Sequence, residues 1–281
     1  MLAGGVVFAL LHYGVGAIFL SGASGRPRAL LSGEMGLGFG LVTAVALVLG
    51  AYLVAVLIGS TEPTRLLVIV NAALALWLFE DGSRGATMDD WLIRMHQRPG
   101  PADGRPYWLL IPDYIILLAI ALAIRQMLKA AFSAAPAPPP APPGAARSAR
   151  SEGLTALMIS VAIALLIIMV LMGARHGATY RGQVYFAVYV AFLFSTGLAA
   201  QITGVRTLKY YWPAPFIVGL IGLALAALRP GFSPPFDVVN TIPAWAPARA
   251  LPLEMISVGL LAVGWAVGSR RPAPADGEGG K

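Results

Sequence analysis

The chain has 281 residues, 58% of them hydrophobic and only 12% charged, with a mean hydropathy of +0.75. Soluble domains carry roughly 25% charged residues, so this composition excludes a solvated globule. There is no cysteine, which removes disulfides, thiolate zinc sites, Cys-ligated iron–sulfur clusters and cysteine nucleophiles. The net charge of +7 is dispersed over short loops rather than clustered. That is the pattern of topology determinants and anionic-lipid contacts, and it predicts no nucleic-acid partner.

Eight apolar stretches follow in chain order, at 1–20, 35–59, 66–79, 107–124, 154–173, 184–204, 214–228 and 251–268. A spanning helix needs about 20 residues at about 1.5 Å rise each. The fold expected is therefore an all-α, polytopic integral membrane protein of seven or eight transmembrane helices. Stretch 66–79 is short for a full span and stays open as a span or a re-entrant piece. Stretch 1–20 lacks a preceding Lys or Arg, which favours a retained helix over a signal peptide, although the small residues Ser21–Gly25 could be a cleavage site.

The 107–124 stretch contains Pro112-Asp113. Asp113 lies about 9 Å along that helix if it starts at Tyr107. A carboxylate at this depth could bind a proton or cation. Alternatively, the helix starts later and Pro-Asp is an interfacial cap, which is the preferred reading. Asn71 and Gln201 are further polar candidates, most simply as interhelical hydrogen-bonding groups. Glu254, three residues into the last stretch, reads as interfacial.

Before 107, the segment 87–98 places Met88, Trp91, Leu92 and Met95 on one helical face, with Thr87 as N-cap and Asp89 and Asp90 in the first turn. It predicts a short amphipathic helix in the headgroup region. The Ala/Pro-rich tract within 133–152 reads as a semi-rigid linker between an N-terminal unit (1–132) and a C-terminal one (153–269), followed by a polar tail (270–281).

Beyond the linker, Ala187, Ala191, Ser195 and Ala199 recur every fourth residue, as do Gly36, Gly40 and Ala44. In lipid there is no hydrophobic drive between helices, so such stripes mark close-packed faces. The connection Gly173–Gly182 gathers Arg175, His176 and Arg181, a set suited to a phosphate or carboxylate and most simply to a lipid headgroup. Segment 229–250, rich in proline and aromatics, is too apolar for a solvated excursion and is expected to fold back over the bundle or meet a partner.

No cofactor is expected. The histidines are His12, His96 and His176, too few for a multi-histidine metal centre. His12 and His176 lie at different depths, which disfavours a bis-histidine haem. The leading functional expectation is a non-catalytic membrane-embedded subunit or scaffold contacting lipids and other membrane protein chains. A small-solute or ion transporter using Asp113 is the alternative. An intramembrane lipid-modifying enzyme using His176 with Arg175 and Arg181 comes third.

Orientation is weakly encoded. With eight spans the Lys and Arg residues divide ten to each side; if 66–79 does not cross, eleven fall on the side of the C-terminus. The expectation is a cytoplasmic C-terminus.

Overall fold

The computed structural model describes residues 105–132, 145–172, 181–229 and 245–268, with isolated positions between 45 and 88. These residues are all helical apart from short connections. The elements are α1 (Arg105–Phe132), α2 (Ala145–Leu171), α3 (Arg181–Thr203), the single turn α4 (Leu208–Tyr211), α5 (Ala214–Leu228), a 3-10 turn (Ala246–Arg249) and α6 (Pro252–Gly268). Among the described residues, four stretches are long and apolar enough to cross a membrane: Tyr107–Met127, Ala149–Leu171, Gly182–Thr203 and Leu208–Leu228. α6 is apolar but shorter.

The bundle is apolar on its outside as well as within. Val170 of α2 is 71% exposed and Phe186 of α3 62%, while Ala187, Ala191, Ser195 and Ala199 of α3 are buried. Lipid explains this distribution: large side chains face hydrocarbon, and small ones let backbones approach. α3 packs against both α2 and α6, and α5 against α1 and α6. Ser160 of α2 and Ser195 of α3 share a hydrogen bond of 3.3 Å within that packing.

Helix direction follows from the contacts at the ends. Gln183 Nε2 donates to the Leu171 carbonyl, so α2 ends where α3 begins. Tyr185 Oη donates to Glu254 Oε1, so α3 and α6 start together and run parallel. Trp245 Nε1 donates to the Arg229 carbonyl, bringing the end of α5 to the entry of the 3-10 turn. At the opposite end the Tyr210 ring lies against Gly153, near the start of α2.

α3 terminates at Gly204, whose φ of 72° is left-handed and open to glycine at little cost. The extended turn that follows is held by Tyr211 Oη, which donates to the Val205 carbonyl at 2.7 Å.

Two boundaries differ from the sequence expectation. α2 begins at Ala145, so residues 145–152, assigned above to the linker, are helical. The last proline of the tract is Pro143, and the alanines, arginines and glutamate beyond Gly144 are good helix formers. α1 begins at Arg105, two turns before Pro112, so Pro112-Asp113 is interior to the helix and not its cap. Pro112 offers no N–H to the Trp108 carbonyl, the one rung such a proline removes.

Residues 245–250 fold back over the bundle, with Ala246–Ala250 buried against α5 and α2. Earlier in the chain, the helical positions Leu66 and Val70 are buried, and Val68 packs on Gly264 of α6. Met88, also helical, is buried.

Candidate functional site

Among the described residues the buried charged side chains are Asp113, Arg249 and Glu254, at 0%, 2% and 1% exposure. They come from three different elements: α1, the 3-10 turn and α6. A charge in a bilayer is costly enough that each such group needs a partner or a purpose.

Glu254 is explained in part by helix physics. Leu251 precedes Pro252, the first residue of α6, and its N–H donates to Glu254 Oε2 at 3.1 Å. This is the glutamate half of a capping box, with proline at the first helical position where no N–H is required. The other carboxylate oxygen, Oε1, accepts from Tyr185 Oη at 3.3 Å. Both oxygens therefore face hydrogen-bond donors, an arrangement suited to the ionised form.

Arg249 lies two residues before Leu251. Its Nη1 donates to the carbonyl of Met172, the residue just after α2. A guanidinium at a helix C-terminus satisfies an orphan carbonyl and meets the negative end of the helix dipole. Arg249 and Glu254 thus share the corner where α2 ends and α3 and α6 begin.

Asp113 and Tyr114 approach from α1. Glu254 and Asp113 both lie within electrostatic range of the Tyr114 hydroxyl. That hydroxyl is pressed onto Gly219 of α5, where a β-carbon would overlap it. It is buried and has no hydrogen-bond partner among the described residues, as is also true of Ser257 Oγ. Ser257 follows Glu254 by three residues, on the same face of α6. The buried polar groups of these elements are thus two carboxylates, one guanidinium and the hydroxyls of Tyr114 and Ser257, which have no hydrogen-bond partner among the described residues.

The other sequence candidates fall elsewhere. Gln201 is exposed and does not join this cluster. Arg181 opens α3, but its side chain lies outside the described residues, as do Asn71, Arg175, His176, Gly36, Gly40 and Ala44. Ala187, Ala191, Ser195 and Ala199 are buried at helix contacts and carry no site chemistry. Glu254, Arg249, Tyr114 and Tyr185 were not site candidates from sequence. The one local signal was Leu251-Pro-Leu-Glu254, an N-cap–Pro–x–Glu helix start.

No group of three or more His, Asp or Glu residues placed to hold a metal ion occurs among the described residues. In comparisons with known protein families, curated proteins and solved structures, the chain matches none.

Proposed function

We propose that this membrane protein binds and moves a proton or small cation, with Asp113, Tyr114 and Glu254 forming the binding site. One observation carries this reading: two carboxylates, Asp113 of α1 and Glu254 of α6, are buried inside an apolar bundle that also buries the Tyr114 hydroxyl. Interhelical glue alone needs no buried acid, because a neutral pair such as Ser160–Ser195 achieves it without burying charge. Ionisable groups in this position typically mark ion pathways.

The scaffold or subunit expectation drew partly on the apolar 229–250 segment, of which residues 246–250 are buried against this chain's own helices. The remaining apolar stretches before residue 105 are proposed to bring the total to seven or eight spans. The proposed orientation keeps the C-terminus in the cytoplasm. It puts the exposed Arg125, Arg150, Arg206 and Lys209 against anionic headgroups.

Purified full-length chain in proteoliposomes tests the reading. An imposed pH or monovalent-cation gradient should dissipate faster than in protein-free liposomes. Equal rates would sink it.

A further inference from the structure

We propose that the corner where α4 meets the first turns of α2 binds one anionic phospholipid. Arg150 and Lys209 hold its phosphate, and the exposed apolar stripe of α2 lies against its acyl chains. This deepens the placement of the basic residues against anionic headgroups, on which it rests, and is independent of the ion-binding reading of Asp113 and Glu254.

The head of the site is built around one aromatic ring. Tyr210 of α4 lies against Gly153 of α2. Lys209 Nζ stands over that ring, 4.7 Å from its centroid. Arg150 precedes Gly153 by three residues, which puts it on the same face of α2, one turn nearer the helix start. Both cations are exposed. Each sits in the first turn of a stretch apolar enough to span a membrane, Ala149–Leu171 and Leu208–Leu228. The contact with Tyr210 holds the Lys209 ammonium at this level without neutralising it, because a cation–π contact supplies no anion. Glu152, two positions from Arg150, projects from the other side of α2.

The turn that carries α4 is fixed. Thr203 Oγ1 accepts from the Val205 N–H at 3.3 Å, and the buried Tyr211 donates its hydroxyl to the Val205 carbonyl. Holding the backbone on this side lowers the ordering cost of capturing a ligand.

Below the cations the surface turns apolar. Arg150, Leu154 and Met158 recur every fourth residue, and the two apolar side chains are each 59% exposed. They lie about 6 Å and about 12 Å deeper along α2 than Arg150. A cationic head above an apolar stripe fits a phospholipid better than a free phosphate.

Charge selects the class of lipid. A choline or ethanolamine headgroup would bring its own cation onto Arg150 and Lys209, whereas a glycerol headgroup leaves the phosphate charge uncompensated. The Arg150 guanidinium also offers a planar donor fork that matches phosphate oxygens.

Native mass spectrometry of the delipidated full-length chain in detergent, with phosphatidylglycerol or phosphatidylcholine added, tests this. One phosphatidylglycerol should bind at concentrations where phosphatidylcholine does not. Arg150→Ala and Lys209→Ala should each weaken it about fivefold, the effect of one basic residue at an anionic surface. Arg125→Ala makes the same charge change on α1, which packs on α5 and α6, and should leave binding unchanged. A large excess of glycerol phosphate should not displace the lipid. All three positions are exposed, and circular dichroism checks that each variant retains its helices.

Equal retention of the two lipids, native binding in the Arg150→Ala/Lys209→Ala double variant, or displacement by glycerol phosphate would overturn the proposal. A loss in Arg125→Ala as large as in Arg150→Ala would also overturn it. That last result would replace a defined site with diffuse attraction and leave the headgroup placement standing.

Discussion

Tyr185 donates its hydroxyl to Glu254 Oε1 at 3.3 Å, and this bond ties the start of α3 to the start of α6. It joins two parallel helices at the corner where Arg249 closes the end of α2. The bond to Glu254 should be worth more than a neutral one, since hydrogen bonds to charged groups contribute about 1.5–3 kcal/mol. Tyr185→Phe is expected to lower stability by an amount in that range, read from thermal unfolding in detergent. In a double-mutant cycle with Glu254→Gln, the two effects should be strongly non-additive. Additive losses would mean that the two side chains do not interact.

The contact between Tyr114 and Gly219 sets a second expectation. A β-carbon at position 219 would overlap both the hydroxyl and the ring of a fully buried tyrosine. Gly219→Ala should therefore destabilise the bundle by about 1–3 kcal/mol, as overpacking does. Tyr114→Phe should restore only part of this, because the ring atom beneath the hydroxyl also stands in the way. Wild-type stability in Gly219→Ala would contradict the placement of Tyr114.

Gly153 offers the matching contrast. Its β-carbon would meet the Tyr210 ring, but Tyr210 is only half-buried and lies beneath Lys209 Nζ, 4.7 Å from the ring centroid. That ring has room to swing. Gly153→Ala should cost distinctly less than Gly219→Ala in the same unfolding assay, and an equal or larger cost would show that Tyr210 is locked.

The serine pair provides a scale for polar contacts in this bundle. Interhelical side-chain hydrogen bonds in membrane proteins average about 0.6 kcal/mol. Ser160→Ala should cost about that much, since Ser195 also reaches the Phe192 carbonyl at 3.5 Å. A loss several times larger would assign the pair a role beyond packing.

The α1, α3 and α5 spans were legible because lipid leaves a chain few choices: backbone polar groups must be paired within a helix, and hydropathy reports which residues comply. The small-residue spacing on α3 was readable for the same reason. The site was harder to see. Asp113 was visible, but Pro112 before it imitates a helix start, and the preceding turns that place it inside the helix carry no distinctive pattern. Glu254 sits three residues into an apolar stretch, where an interfacial position costs nothing. Its burial depends on α3 running parallel beside α6, a long-range relationship with no local signature. Arg249 looked like one more loop charge because nothing nearby in sequence records that residues 246–250 fold inward.

The most direct test of the account is ion flux through proteoliposomes containing Asp113→Asn, compared with the native chain and with Ser160→Ala as a packing control. Asp113→Asn should insert and remain helical yet reduce gradient-driven flux at least about tenfold, equivalent to about 1.4 kcal/mol at the limiting step, while Ser160→Ala stays near native. Native-level flux through correctly folded Asp113→Asn would contradict it.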